Sequence, residues 1–193
     1  KVSDKIVLLE NLSNHCSDIL IGGAMAYTFL KASKTNIGES RVEENKLDLA
    51  QKLISICSER GCNLHLPEDH ITAVDFSEDA EGFQRADIPE NEMGLDIGPE
   101  TQKKYASLIA SAKSVFWNGP MGVFEWDNFA EGTKSVGEAM VSTQAYTVVG
   151  GGDSAAASVQ FGFAESLSHL STGGGASLAF LEGDPLPGLE VFL

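Results

Sequence analysis

The sequence contains few of the residues that mark several classes of protein. Its 193 residues include three cysteines and six prolines, and 13 lysines and arginines stand against 28 aspartates and glutamates. An odd and small number of cysteines in a chain of this length argues against a disulfide scaffold and indicates a reducing compartment. The net charge of −15 argues against nucleic acid and anionic membrane surfaces as partners, because both attract basic patches.

Long apolar runs are lacking as well. No stretch of about 18 apolar residues occurs, so no transmembrane helix is expected. The first twelve residues, KVSDKIVLLENL, have neither the apolar core nor the cleavage site of a signal peptide. They also lack an initiator methionine, so we expect a processed chain or a piece of a longer protein. We expect a cytoplasmic monomer, with a plastid or another organelle as the alternative compartment.

Four residues with metal-binding side chains fall close together, namely Cys57, Cys62, His65 and His70. A zinc finger needs a long segment between its two ligand pairs so that they can converge on the ion. These four residues instead follow a helix end and a strand pattern that sends neighbouring side chains to opposite faces. Their spacing therefore argues against a zinc site.

Apolar runs of strand length alternate with helical periodicity through most of the chain. The pattern predicts strands at 18–22, 63–66, 71–75, 114–118 and 145–149, and helices at 24–32, 43–58, 99–112, 127–141 and after GGGD, with a last strand and helix around 167–181. The polar stretch 77–92 is predicted to be a surface excursion. Strands that alternate with helices imply right-handed crossovers. We therefore predict one α/β domain over 1–193, a three-layer Rossmann-like fold with a mainly parallel sheet and helices on both faces.

Glycine-containing segments are predicted to lie just after the strands. They comprise 22–24, 94–95, 118–125, 150–154 and 171–175. In open α/β sheets ligands bind outside the carboxyl ends of the strands, so we expect these five segments to meet at one sheet edge. A glycine turn that opens a helix presents unpaired backbone N–H groups and the positive end of the helix dipole to an anion. The segments at 150–154 and 172–175 could thus hold two phosphate groups.

Asp153 follows the glycines of GGGDS and has two interpretations. As an ordinary helix cap it would accept a hydrogen bond from a backbone amide of its own helix. Beside a polyphosphate it would instead bind Mg²⁺, which prefers carboxylate and phosphate oxygens. The sequence leaves both interpretations open at this stage.

Two familiar phosphate-binding motifs fit poorly. A Walker loop requires a Gly-Lys pair, and this sequence contains none. The dinucleotide fingerprint fits nominally at Gly150, Gly152 and Ala155, but it also needs an acid at the end of the following strand. Ser171 and Thr172 occupy that position, which disfavours a dinucleotide-dependent oxidoreductase.

Six motifs together resemble a known family. The segments KVSDK, IGGAMAYTFLKA, LDIGPET, WNGPMGVFEW, VVGGGDSAAA and SHLSTGGGASL occur in the order and at the spacing of phosphoglycerate kinase. The resemblance covers essentially the whole chain, but only the C-terminal, nucleotide-binding half of that enzyme. It implies that the N-terminal 3-phosphoglycerate-binding domain of the same enzyme, which carries the family's basic patch, is missing from this chain and is the partner of this half.

The resemblance implies a role for each matching residue. Lys1 matches a lysine that follows the transferred phosphoryl group, and Lys5 matches a lysine that contacts the nucleotide phosphates. Glu125 matches the carboxylate that binds the ribose hydroxyls. The other implied contacts are Gly23, Ala24, Gly94, Leu95 and Val123 around adenine, Asn118 and Pro120 near the phosphates, Gly151, Gly152, Asp153 and Ser154 in the phosphate loop, and Thr172, Gly173 and Gly174 at the second helix N-terminus. Asp153 would bind Mg²⁺, and Lys1, Gly151 and Gly174 would assist the transfer itself.

The implied reaction moves a phosphoryl group between 1,3-bisphosphoglycerate and MgADP, giving 3-phosphoglycerate and MgATP in glycolysis. Because transfer needs two domains to close around both substrates, we expect this chain alone to bind ADP or ATP without turnover. A non-catalytic nucleotide-binding module is the alternative. The presence of Lys1, Lys5, Glu125 and Asp153 favours the kinase, since a retired site would be expected to lose some of them.

Overall fold

The computed structural model describes residues 1–171 and 173–190. Its α-helices are α1 (Val2–Leu12), α2 (Gly23–Ala32), α3 (Leu47–Glu59), α4 (Pro99–Ser111), α5 (Glu131–Ser142), α6 (Gly152–Gln160), α7 (Gly174–Glu182) and α8 (Pro187–Glu190). Its strands are β1 (Asp18–Leu20), β2 (Asn63–His65), β3 (His70–Ala73), β4 (Phe83–Arg85), β5 (Met93–Ile97), β6 (Ser114–Trp117), β7 (Tyr146–Val149) and β8 (His169–Leu170). Short 3₁₀ turns precede α3 and α5.

The strands form three sheets. The first is the parallel pair β1-β2, the second is the parallel sheet β6-β7-β8, and the third is the antiparallel sheet β4-β3-β5. Helices follow the parallel strands β1, β6, β7 and β8 along the chain, as βαβ units require. The predicted α/β class with a mainly parallel, Rossmann-like arrangement is confirmed.

The antiparallel sheet was not predicted. The stretch 77–92 is more than a surface excursion, because it contains β4, which pairs with β3, and Ile88, which is 2% exposed. Glu92 at its end is also buried, where it pairs with Arg85 at 2.8 Å. The reason is tertiary pairing: β4 forms because its backbone completes the edge of β3, although two of its three side chains are polar.

Helix α1 also lies where no helix was predicted. The Glu43 carboxylate holds its first turn by accepting hydrogen bonds from the backbone N of Val2 at 2.5 Å and from the Ser3 hydroxyl at 2.7 Å. The bond from Val2 satisfies an orphan backbone donor of the helix start with a residue 41 positions away in sequence. Leu8 and Leu9 then bury the inner face of the helix.

Two hydrophobic cores flank the parallel strands. One joins α1, α2 and α3 to β1, and the other joins α4, α5 and α6 to β6 and β7. Tyr105 of α4 connects the two regions, because its hydroxyl donates to the carbonyls of Ile21 at 2.8 Å and His65 at 3.0 Å. In the described part of the chain no helix is both long and apolar enough to cross a bilayer.

Candidate functional site

A cleft of about 810 Å³ opens at the carboxyl ends of β1, β6 and β7. Every site residue predicted between positions 1 and 154 contributes to its lining: Lys1, Lys5, Gly23, Ala24, Gly94, Leu95, Asn118, Pro120, Val123, Glu125, Gly151, Gly152, Asp153 and Ser154. The first and last of these residues, Lys1 and Ser154, are 153 positions apart in sequence (154 − 1) and are thus brought to one place. The position agrees with the rule that ligands of open α/β sheets bind beyond the carboxyl ends of the strands.

The turn after β1 packs closely against the loop after β6. The backbone N of Gly23 donates to the carbonyl of Met121 at 2.8 Å. A Cβ added to Gly22 would lie 2.4 Å from the Met121 sulfur and 3.2 Å from the Met121 Cα, so any other residue would force Met121 to shift. Gly23 itself has a φ of +64°, which also favours glycine. The sequence pattern Gly22-Gly23 is therefore favoured by the close packing of this wall of the cleft.

Strand β5 supplies another wall of the cleft through Gly94 and Leu95. A Cβ on Gly94 would lie 2.0 Å from the hydroxyl of Tyr27, and the Gly94 N donates to the Ser40 hydroxyl at 2.8 Å. Leu95 accepts a hydrogen bond from the backbone N of Val123 at 2.9 Å. One expectation was wrong here: Gly94 and Leu95 lie inside an antiparallel strand and do not follow a parallel one. They reach the cleft because β5 runs along its side.

Beneath this wall the carboxylate of Asp96 is fully buried. One oxygen accepts from the backbone N of Gly132 at 2.7 Å and the other from the backbone N of Ile97 at 2.9 Å. Burial raises the pKa of Asp96 to about 7, although the two backbone hydrogen bonds act in the opposite direction. The bond to Gly132 holds the start of α5. The same carboxylate also packs against the loop after β6, where an added Cβ on Gly122 would lie 2.3 Å from it.

The opposite end of the cleft is built by the turn between β7 and α6. Gly151 has φ +96° and ψ 146°, a conformation that is essentially restricted to glycine. Asn118 donates to the carbonyl of Gly150 at 2.6 Å, and the buried hydroxyl of Ser154 accepts from the backbone N of Gly119 at 2.5 Å. These contacts fix the first turn of α6, whose free N–H groups and dipole favour an anion.

Lys5 of α1 faces the same end. Its ammonium group donates to the side-chain oxygen of Asn118. Burial lowers the pKa of Lys5, while the carboxylates of Asp4, Glu182 and Asp153 oppose that shift. A half-buried cation held beside the start of a helix is suited to bind phosphate oxygens.

Asp153 occupies the first turn of α6 and is exposed. No side-chain hydrogen bond of Asp153 occurs within the described residues, so the capping interpretation loses its support. The described residues also contain no cluster of three or more histidine, cysteine or acidic side chains that could hold a metal ion. A single exposed carboxylate fits Mg²⁺ only where phosphate oxygens of a ligand complete the coordination.

The formal charges of the cleft balance. Three cationic side chains line it, namely Lys1, Lys5 and Arg41, and so do three carboxylates, Glu39, Glu125 and Asp153. This local balance contrasts with the net charge of −15 of the whole chain. An anionic ligand therefore meets a neutral patch within an acidic surface, with the backbone N–H groups of α6 as additional donors.

The second predicted phosphate-binding helix N-terminus, that of α7, has a less direct relation to the cleft. Thr172 lies outside the described residues, and Gly173 and Gly174 begin α7 without being among the described lining residues of the cleft. Leu178 of α7 does line it. The Asn11 amide holds the far end of α7 by donating to the carbonyl of Leu181 at 2.6 Å.

Sequence reasoning missed several lining residues. They are Leu20, Gly22, Met25, Tyr27, Glu39, Arg41, Phe76, Met93, Gly119, Met121, Gly122 and Leu178. Gly22, Gly119, Gly122, Met25 and Met121 lie within the quoted motifs, which was a usable signal. Glu39, Arg41 and Phe76 stand in loops with no local pattern, and only the tertiary fold brings them to the cleft.

Comparison with known proteins identifies relatives along nearly the whole chain. The family model described as phosphoglycerate kinase matches residues 1–184. The phosphoglycerate kinase of Clostridium botulinum strain Alaska E43 is 53% identical over 191 residues, which cover 98% of this chain and 48% of the relative. That of Chlorobium phaeobacteroides is 51% identical over 195 residues, covering 98% of this chain and 49% of the relative.

Solved structures give the same result. The phosphoglycerate kinase of Coxiella burnetii superposes with a TM-score of 0.96 at 43% identity, over 99% of this chain and 50% of that one. The enzyme of Pyrococcus horikoshii gives a TM-score of 0.82 at 31% identity, over 98% of this chain and 49% of that one. The chain spans about half the length of the curated relatives it matches. With a family model matched over residues 1–184 and this fold, the chain belongs to the phosphoglycerate kinase family.

Proposed function

We propose that this chain is the ADP- and ATP-binding half of a phosphoglycerate kinase. In the complete enzyme a phosphoryl group would move reversibly between 1,3-bisphosphoglycerate and MgADP to give 3-phosphoglycerate and MgATP. The observation that carries the proposal is the meeting of Lys5, Asp153 and the N-terminus of α6 at one end of a cleft whose other walls are glycine and apolar side chains. That combination suits an elongated ligand with an anionic end and a flat apolar end.

The residue roles follow the two ends of the cleft. Gly23, Ala24, Gly94, Leu95 and Val123 would contact the base, because missing or small side chains leave room for a flat ring. Glu125 would accept hydrogen bonds from the ribose hydroxyls. These assignments rest on the family resemblance and on the shared position of the residues in the cleft.

At the other end the backbone of Gly151 and Gly152, the hydroxyl of Ser154 and the amide of Asn118 would orient the phosphates, together with Pro120 nearby. Lys5 would neutralise phosphate charge, and Lys1 would follow the transferring group. Thr172, Gly173 and Gly174 would add the second helix N-terminus. Phosphoryl transfer depends mainly on such positioning and charge stabilisation.

Mg²⁺ fits the Asp153 side of the cleft. The Asp153 carboxylate would hold the ion together with nucleotide phosphate oxygens, since Mg²⁺ commonly takes one or two carboxylates and otherwise water or phosphate. When bound, the ion supplies neutralisation of the charge on the phosphates. Lys5 and the α6 amides would bind and orient the remaining oxygens.

Titration calorimetry tests nucleotide binding directly. We expect the 193-residue chain to bind MgADP, to bind ADP more weakly in EDTA, and to bind NAD undetectably, which would separate a kinase half from a dinucleotide-dependent oxidoreductase. A coupled assay with 3-phosphoglycerate and MgATP should show essentially no turnover, because the second substrate site belongs to the other domain. Turnover by this chain would contradict the half-site proposal, and failure to bind MgADP would contradict the function itself.

The metal assignment has its own variant. Asp153→Ala should lower the affinity for MgADP about tenfold, equivalent to about 1.4 kcal/mol, while leaving the affinity for ADP in EDTA nearly unchanged. Asp79→Ala removes one exposed carboxylate outside the cleft and should leave both affinities unchanged. An equal loss with and without Mg²⁺ in Asp153→Ala would assign the carboxylate a structural role.

A further inference from the structure

Two charged side chains line the candidate nucleotide cleft without a role in the proposed function. They are Glu39 and Arg41, which stand in the loop between α2 and α3 and are both exposed. The other four charged residues of the described lining are already assigned to the phosphates, the metal ion or the ribose. One guanidinium group and one carboxylate thus remain for another part of the ligand.

Neither side chain is occupied by an ion pair in the part of the chain that the structure describes. Glu39 and Arg41 carry opposite charges two positions apart, yet they do not pair with each other. Ser40 between them is buried, at 4% exposure, and both flanking side chains are exposed. The donors of Arg41 and the acceptors of Glu39 are therefore both available to a ligand in the cleft.

The loop that carries the pair is fixed to the strand that forms one wall of the cleft. The Ser40 hydroxyl accepts a hydrogen bond from the backbone N of Gly94 at 2.8 Å, and the backbone N of Glu39 donates to the carbonyl of Glu92 at 2.9 Å. Gly38 has a φ of +53°, and an added Cβ would lie 2.3 Å from the carbonyl oxygen of Glu92. These contacts hold Glu39 and Arg41 beside Gly94, where the proposed function places the nucleobase.

A nucleobase at this wall presents its edges to charged groups, because its faces pack against glycine and apolar side chains. The guanidinium group of arginine offers parallel N–H donors, which fit two adjacent acceptors. Guanine has such a pair in N7 and O6, whereas adenine has the N6 amino donor beside N7. On its other edge guanine has two donors, N1–H and the 2-amino group, which a carboxylate can accept. An arginine and a carboxylate together therefore complement guanine better than adenine.

We propose that Arg41 and Glu39 recognise the edge of the base and make the cleft a site for 6-oxopurine nucleotides as well as for ADP and ATP. Arg41 donates to N7 and O6, and Glu39 accepts from N1–H and from the 2-amino group of guanine. This inference rests on the proposed nucleotide-binding function and adds the base preference to it. Arg41 and Glu39 set that preference and have no part in phosphoryl transfer.

Titration calorimetry with the Mg²⁺ complexes of ADP, GDP and IDP tests the inference on the 193-residue chain. We expect MgGDP to bind at least as tightly as MgADP. Arg41→Leu should lower the ratio of GDP affinity to ADP affinity about tenfold, since a two-donor contact to guanine is lost. Lys52→Leu removes one exposed cation outside the described lining of the cleft and should leave that ratio unchanged.

Arg41→Lys separates the shape of the guanidinium group from its charge. Lysine keeps the positive charge but lacks the parallel donors, so the ratio of GDP affinity to ADP affinity should fall nearly as far as in Arg41→Leu. The diphosphate of 7-deazaguanosine, which lacks the N7 acceptor, should bind the native chain less tightly than GDP. In Arg41→Lys that difference between the two ligands should disappear.

Glu39→Gln tests the carboxylate with a side chain of the same size. Glutamine keeps one acceptor for N1–H and loses the second, which the 2-amino group needs. Hypoxanthine, the base of IDP, has no 2-amino group. We therefore expect Glu39→Gln to lower the ratio of GDP affinity to IDP affinity about fivefold. An unchanged ratio would exclude Glu39 from recognition of guanine and overturn its part of the inference.

The same measurements distinguish failure of this inference from failure of the proposed function. A native chain that binds MgADP but binds MgGDP more than about tenfold more weakly would overturn the base preference and leave nucleotide binding intact. Equal losses for ADP and GDP in Arg41→Leu, or a native ratio in Arg41→Lys, would show that Arg41 acts only as a charge, against the inference. Absence of binding by all three nucleotides would overturn both.

Discussion

Gly151 shows how one backbone conformation can control the turn that begins α6. Its φ of +96° and ψ of 146° are unfavourable for any side chain, and an added Cβ would lie 2.6 Å from the Asn118 amide nitrogen. We predict that Gly151→Ala lowers the free energy of unfolding by about 1–3 kcal/mol and shifts the turn that begins α6. Urea denaturation and MgADP calorimetry would show both effects, with affinity lost because Asn118 and the α6 amides no longer align.

Gly61→Ala is the matched control for this backbone effect. Gly61 also has a positive φ, +72°, but nothing lies within 4 Å of an added Cβ. It should cost about 1 kcal/mol of stability and leave MgADP affinity unchanged. If Gly151→Ala is no more harmful than Gly61→Ala in either measurement, the contact with Asn118 has no role in the loop.

Asp96 makes stability depend on pH. Burial raises its pKa from 3.8 to about 7, so between these values the folded chain binds a proton that the unfolded chain has lost. The contribution of Asp96 to stability is therefore fully present below pH 3.8 and is lost as the pH rises towards 7. The slope is at most about 1.4 kcal/mol per pH unit.

Urea denaturation between about pH 4 and about pH 8 should reveal this window as a difference between two proteins. The native chain should lose stability relative to Asp96→Asn as the pH rises, because the amide does not ionise. Asp79→Asn, at an exposed position, should follow the native chain throughout. Parallel curves for the native chain and Asp96→Asn would show that the buried carboxyl does not titrate in this range.

The residues of the candidate site could be predicted from the sequence where the local backbone conformation favours one residue type. Gly22, Gly23 and Gly151 are required by close approach or positive φ, and such positions appear in a sequence as glycine after an apolar run. Arg41 and Phe76 were not predictable, because nothing in their local sequence distinguishes them from other loop residues. Their place in the cleft depends on long-range packing.

The same distinction holds for helices and strands. α2, α3 and α4 were predicted from apolar periodicity and from Pro99 at a helix start. β4 escaped prediction because its Gln84 and Arg85 are polar and its existence depends on pairing with β3. α1 escaped because its first turn is held by Glu43, a contact between distant parts of the chain.

Helix α4 is expected to hold the ends of β1 and β2 in place through one hydroxyl group. Tyr105 donates to the carbonyls of Ile21 and His65, and its side chain is fully buried. Tyr105→Phe keeps the ring and leaves both carbonyls without this donor, so we predict a loss of about 1–2 kcal/mol in the free energy of unfolding. Chemical denaturation measures it.

Tyr146→Phe provides the comparison, since Tyr146 is 60% exposed and its hydroxyl can bind water in both the folded and the unfolded chain. That substitution should change stability by less than about 0.5 kcal/mol. Similar losses of stability in the two variants would mean that the hydrogen bonds to Ile21 and His65 do not stabilise the folded chain.

At the scale of the whole molecule, the alternation of strands and helices predicted the α/β architecture with mainly parallel strands. It did not predict that β3, β4 and β5 form a separate antiparallel sheet, because antiparallel order depends on which edges meet. The order of the motifs indicated the phosphoglycerate kinase family, and the comparisons confirm that assignment.

The contrast between an acidic molecule and a charge-balanced cleft has a kinetic consequence. A nucleotide diffusing towards a body of charge −15 is repelled at long range, and favourable contacts act only within the cleft. Raising the ionic strength from about 0.01 M to about 0.15 M shortens the screening length from about 30 Å to about 8 Å. We therefore predict that the association rate constant of ADP rises with salt in stopped-flow measurements, whereas that of uncharged adenosine stays constant. An ADP rate that falls with salt would mean that the local cations steer the encounter despite the surrounding charge.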